Sequence, residues 1–182
     1  MTAIENYDID IIERTKEILE ANFELFSRND REFTFLVNCL LGIVVAATEN
    51  EKRKAKIFKG KIDNEFMNII PERVRFIKSK RKNFSINENN SRAEKQQIGD
   101  KYEIAVKSKI WLLTKLRNCI AHQHIAPINE DGNWVGVKLW NVDRKYRDFE
   151  IVFTQVELKG FCIYIANYYL NNRNKKRWEY GL

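Results

Sequence analysis

Three side chains within six positions could do chemistry together. The stretch Leu116–Ile125, LRNCIAHQHI, holds Arg117, Asn118 and His122, and the chain's two histidines, His122 and His124, both fall in it. A guanidinium grips phosphate oxygens with a planar fork and stays charged at any working pH. An imidazole takes or gives a proton near neutrality. Those are the parts needed to cleave a phosphodiester without a metal.

Spacing limits how they can act. At 100° per residue, Asn118 and His122 share a helix face, whereas Arg117 and His122 point about 140° apart on an ideal helix. A helix that loosens near Ala121 would bring the pair together, and so would two copies of the segment facing each other across a dimer. A plainer use exists. Arginine and histidine in a helix's last turn are favoured by its dipole and can bond its free carbonyls. The residues alone leave both readings open.

The elements that must position this stretch can be read from periodicity. A first helix, capped by Asp8 or Asp10, should run to about Ser27, with Ile11, Ile12, Ile18, Leu19, Phe23 and Phe26 on one face. Asn29 or Asp30 should cap a second, from Arg31 to about Glu49, apolar nearly all round as FTFLVNCLLGIVVAA. Pro71 suits the first turn of a short helix over 71–80. The polar text of 83–99 reads as a mobile loop. A long helix from about Asp100 to Ala121 should carry the motif at its end, with Leu113, Leu116 and Ile120 inward and Pro127 barring continuation. Then the period switches to two. WVGVKLWNV (134–142) and DFEIVF (148–153) predict a β-hairpin. A last helix from about Thr154 to Asn171 should bury Leu158, Cys162, Ile165 and Tyr169, and the basic tail 173–182 should fray. The fold expected is therefore all-α, an antiparallel bundle of four to five helices with a small inserted hairpin, in one domain over 1–182.

Charge narrows the partners. The formal net charge is +7, and 51–82 holds twelve Lys/Arg against four Asp/Glu, so this segment carries more than the whole excess. Such concentration predicts an anionic partner, with Lys52, Arg53, Lys54, Lys56, Arg73 and Arg75 as candidates to bind an RNA backbone. A solvated lysine-rich surface is the plain alternative. The three cysteines, Cys39, Cys119 and Cys162, are odd in number and widely spaced, as expected of free thiols in a reducing cytoplasm. No signal peptide is visible, and the longest apolar run, Phe33 to Thr48, is interrupted by Asn38 and Gly42. It reads as a buried helix, so no membrane partner is expected.

LRNCIAH resembles the Arg-polar-three-residues-His signature of the HEPN superfamily, with Arg117, Asn118 and His122 in its three positions. The early FTFLVNCLLGIVVAATEN helix, the motif at the end of a later helix, the strand pair and the last amphipathic helix are similar to the small prokaryotic HEPN family nucleases. The resemblance covers most of the chain and is loosest over 50–99. It implies a metal-independent endoribonuclease that needs no cofactor and works as a homodimer with a composite active site. Arg117 would neutralise the scissile phosphate. His122 would serve as acid and base in attack by the ribose 2′-OH, and Asn118 would orient the phosphate or the histidine. The implied setting is toxin–antitoxin or phage defence, with an antitoxin or other regulatory protein as a further partner. One subgroup, paired with a nucleotidyltransferase antitoxin, carries a tyrosine two residues after the motif histidine. His124 stands there instead, as a possible auxiliary proton carrier or a surface histidine in a loop.

These residues admit other uses. Cys119, His122 and His124 lack a fourth neighbouring Cys or His for a structural zinc site. A Cys119–His122 nucleophile pair lacks an oxyanion-hole motif. Trp111, Trp134 and Trp140 could stack bases or fill the core. Glu49 could support the site. A non-catalytic HEPN-like RNA- or protein-binding scaffold is the main functional rival. A DNA-binding protein would need 72–82 as its recognition helix, and that segment is mostly Lys/Arg, which suits phosphate better than base edges.

Overall fold

The computed structural model describes residues 7–28, 31–50, 56–79 and 83–180. Length predicts one domain; the backbone groups into two compact units, Met1–Lys59 with Leu158–Leu182, and Gly60–Glu157.

The first unit is helical. Helices α1 (Tyr7–Ser27) and α2 (Glu32–Asn50) follow the expected spans. Ile12, Leu19 and Phe23 of α1 are buried, while Ile18, expected on the same face, is 51% exposed. Phe33, Leu36, Leu40, Ile43, Val44 and Ala47 of α2 are fully or almost fully buried. Each large side chain so removed from water is worth roughly 1.5–3 kcal/mol. Phe26 stacks on Phe35 at 4.1 Å between centroids, closing the α1–α2 end. Among the described residues, Glu32–Glu49 is the stretch long and apolar enough to cross a membrane by composition, and 44% of it is buried within the structure. The expected caps Asn29 and Asp30 lie outside the described residues. The final helix spans Gln155–Tyr180, and its part from Leu158 belongs to this unit. Tyr169 Oη (2.7 Å) and Arg173 Nε (3.2 Å) both donate to Asp8 Oδ2, tying that helix to the start of α1. The tail 173–182, expected to fray, is helical as far as Tyr180, and 181–182 lie outside the described residues.

The second unit overturns the all-α expectation. It holds a five-stranded antiparallel sheet in the order β2-β1-β5-β4-β3, so the chain is α+β. After the short helix α3 (Asn64–Asn68), β1 is Val74–Ile77, where Pro71 had suggested a helix. The text VRFI alternates in burial, with Val74 and Phe76 at 1% exposure, and it pairs with β5 across some 75 residues of chain. That partner lies too far away in sequence for local pattern to reveal it. Arg75, facing the other way, stands opposite Glu150 and donates to it at 2.6 Å.

The 83–99 segment, expected as a mobile loop, carries α4 (Arg92–Lys95) and β2 (Ile98–Gly99). Ser91 and Glu94 form a reciprocal capping box, and Ile86 is 1% exposed. A Cβ on Gly99 would lie 2.5 Å from the Phe76 ring, so a side chain there would force that buried ring or β2 to shift.

The long helix expected from Asp100 is two pieces. A 3-10 turn, Tyr102–Val106, ends before Ser108, whose hydroxyl accepts from Trp111 N–H and starts α5 (Lys109–Ala121). The predicted hairpin is present as β4 (Asn133–Asp143) and β5 (Tyr146–Thr154). A strand that periodicity did not announce, β3 (Ile125–Glu130), adds to β4 at the sheet edge. Pro127 sits inside it. Trp140 N–H donates to His124 C=O, and the pairing Ala126↔Lys138 continues that register, so Pro127 falls at a position whose N–H would point away from β4. Only there is a proline harmless to the ladder.

Candidate active site on helix α5

Helix α5 is built with two unlike stripes. Leu112, Leu113, Leu116, Cys119 and Ile120 are buried, and Trp111 meets the sheet residues Phe76 and Phe149 edge-on at 5.6 and 5.7 Å. The other stripe, Trp111, Lys115, Asn118 and His122, recurs at spacings of four, three and four, and so shares one face. All four line a cleft of about 660 Å³. Its far wall includes Asn141, Asp143, Arg144, Tyr146 and Asp148 from the β4–β5 hairpin. Lys115 Nζ donates to Asp148 Oδ2 at 2.5 Å, and Asn141 Nδ2 donates to Asp148 Oδ1 at 2.7 Å. Both oxygens of this carboxylate are thus engaged, and the pair holds helix to hairpin beside the motif.

The helix start is anchored by Lys109, only 5% exposed, which is ion-paired with Asp63. Asp63 also caps α3 by accepting from Phe66 N–H at 3.0 Å.

The end of α5 sets the aim of His122. His122 leaves helical geometry (φ −98°, ψ 10°) as the capping residue. Gln123 N–H donates to Ile120 C=O (3.0 Å) and His124 N–H to Cys119 C=O (2.8 Å). This pair of bonds is the Schellman arrangement, which needs a left-handed residue in the middle, usually glycine. Here it is Gln123, at φ 56°. The reversal leaves the His122 ring exposed, 6.0 Å from that of His124.

Arg117 does not line the cleft, as the helical angle predicted. Its Nη1 donates to Asn118 Oδ1 at 3.3 Å. The structure therefore brings Asn118 and His122 into one cleft and sets Arg117 beside Asn118 at its flank.

A family model described as HEPN pEK499 p136 matches residues 1–176. The chain belongs to that HEPN family. HEPN domains are generally associated with RNase activity. Searches of curated proteins and of solved structures gave no significant match.

His124 is half-buried at the foot of β3 and stacks on Trp140. Its Nδ1 is buried and has no hydrogen-bond partner among the described residues. Arg147 lies over the same indole, 4.8 Å from its centroid. The Trp134 indole N–H donates to Gly136 C=O of its own strand at 2.6 Å. Of Trp111, Trp134 and Trp140, Trp111 lines the cleft.

Lys52, Arg53 and Lys54 lie outside the described residues. Lys56 is exposed in the first unit. Arg73 is exposed and Arg75 is engaged with Glu150; neither lines the cleft, and nor does Glu49.

The nucleophile alternative loses its footing, because Cys119 is 0% exposed and burial pushes its thiol far up. Burial also raises Cys39, to about 11. Among the described residues, no three His, Cys, Asp or Glu side chains gather to hold a metal. The recognition helix that a DNA-binding reading needs is replaced by strand β1. Sequence reasoning missed Lys115, Asp148 and Arg144. Lys115 was legible as the residue three before Asn118 and seven before His122.

Proposed function

We propose that this HEPN protein is a metal-independent endoribonuclease whose catalytic residues are Arg117, Asn118 and His122. The observation that carries the reading is that Asn118 and His122 line one polar cleft at the end of α5, within a chain of HEPN family membership. In the proposed reaction a neutral imidazole accepts the ribose 2′-OH proton as the 2′ oxygen bonds to phosphorus. The bond from phosphorus to the 5′ oxygen breaks, and a protonated imidazole supplies that oxygen with its proton. The products are a 2′,3′-cyclic phosphate, which can open to a 3′-phosphate, and a 5′-OH.

One imidazole cannot hold both protonation states at once. A homodimer with a composite active site supplies two copies of His122, one for each role. It also gives Arg117, off the cleft stripe within its own chain, a second way to approach the scissile phosphate, whose charge it would neutralise. Asn118, bonded to Arg117, would orient that guanidinium or the phosphate. The setting proposed is cytoplasmic, in toxin–antitoxin or phage defence, with an antitoxin or other regulatory protein restraining the enzyme.

The test is cleavage of total cellular RNA by the full chain in EDTA, with Arg117→Ala and His122→Ala alongside. Cleavage by the wild type, reduced about 100-fold or more in both variants and leaving cyclic-phosphate ends, supports the reading. Wild-type rates in both variants would sink the site assignment. RNA binding without cleavage by a folded dimer would leave the HEPN-like scaffold.

A further inference from the structure

The β4–β5 hairpin turns on Arg144 and Lys145, between the paired residues Asp143 and Tyr146. The first residue of such a two-residue turn takes a positive φ, and glycine, asparagine or aspartate ordinarily fills it. Here Arg144 does so at φ 60°. A long side chain in this region costs about 1 kcal/mol against glycine. Arg144 is exposed, and among the described residues no hydrogen bond or ion pair holds its guanidinium to offset that cost.

What Arg144 does have is a place on the cleft that holds Asn118 and His122. The other charges there are largely spoken for. Lys115 and Asp148 neutralise each other. Lys107 Nζ reaches the Lys78 carbonyl at 3.4 Å and lies over the Phe76 and Trp111 rings. Asp143 adjoins Arg144 on the rim and is exposed. Arg144 is thus the cleft cation whose donors remain open to a ligand. Its fork suits a phosphate, and a hairpin tip can present it from the wall opposite α5.

We infer that Arg144 is an RNA-binding residue, holding a phosphate of the strand next to the scissile one. This rests on the reading of the cleft as an RNA site. The strained turn is then retained for binding, since any gain in backbone ease from glycine would remove the fork.

Arg144→Gly separates the two roles, because glycine suits the turn and carries no charge. The probe is a 12-nucleotide single-stranded RNA with 2′-O-methyl riboses, which cannot be cut by 2′-OH attack. Binding by the full chain is followed by fluorescence anisotropy over a salt series, with thermal unfolding in parallel. The expected result is binding weakened ~10-fold in Arg144→Gly, from loss of one charge-assisted contact. The salt slope should fall by about 0.7, the value for one single-strand phosphate. Tm should equal or exceed that of the wild type, and Arg144→Lys should recover part of the affinity. Wild-type affinity and slope in Arg144→Gly would overturn the inference, as would a lowered Tm, which would make Arg144 a structural residue, or no binding by any form. Cleavage of unmodified RNA reports separately on the nuclease reading. Arg144-dependent binding without cleavage would sink that reading and leave this one standing.

Discussion

The imidazole of His124 lies nearly flat against the indole of Trp140, with ring centroids 5.7 Å apart and planes 17° from parallel. The two residues are also joined through the backbone, where Trp140 N–H donates to His124 C=O at 3.1 Å. Ring and main chain together pin the point where the polypeptide leaves α5 and enters β3. That point is two residues from His122. The stack therefore helps fix the aim of the proposed catalytic imidazole without itself lining the cleft.

A double-mutant cycle over His124→Ala and Trp140→Ala should give a coupling of about 0.5–1.5 kcal/mol, the range for paired aromatic rings. Urea unfolding of the four proteins measures it. Strict additivity would mean that the rings are neighbours and nothing more.

Gln123 carries the left-handed residue of the helix end at φ 56°. Gln123→Gly should raise stability by about 1 kcal/mol, since glycine adopts that conformation without a Cβ clash. Gln123→Val should do the reverse. A Tm series of the three proteins decides it, and a destabilised glycine variant would show that the glutamine side chain makes an essential contact.

Asp63 links α3 to the start of α5, and its titration gives a pH prediction. Partial desolvation pushes its carboxyl up, but hydrogen bonds from Lys109 and Phe66 N–H and the ammonium's charge outweigh that, so it titrates below its ordinary 3.8. A carboxyl lowered in the folded state contributes stability above its unfolded value, and that contribution is lost as pH falls through the folded value. Tm should therefore hold steady down to about pH 5 and drop below pH 4. Asp63→Asn should lower Tm at pH 7, because it weakens the pairing of the buried Lys109, and should flatten the acid limb. An unchanged acid limb would remove Asp63 from the account.

Local pattern made some of this molecule readable. The apolar faces of α1 and α2, the alternation of β4 and β5, and the Arg117–Asn118–His122 spacing are all set by neighbours within a few residues. The rest was decided at a distance. Val74–Ile77 is a strand because β5 offers a partner, and Pro127 is tolerated because β3 is an edge. The split of the expected long helix had a local signal, the cap Ser108, which the apolar run of α5 overshadowed. Only the folded chain shows that Lys115, Asn141 and Asp148 meet beside His122, since the hairpin residues are remote from α5 in sequence. The helical angle alone anticipated that Arg117 would stand off the cleft.

Both rims of the sheet are poor templates. On one side β2 is two residues long. On the other, Pro127 withholds a donor midway along the outward row of β3. A long, flat, unpaired rim invites identical chains to add strand upon strand, and short or proline-bearing rims deny that growth. Crowded at high concentration, this protein should resist stacking into fibrils through its sheet, and Pro127→Val should make it the more prone to aggregate.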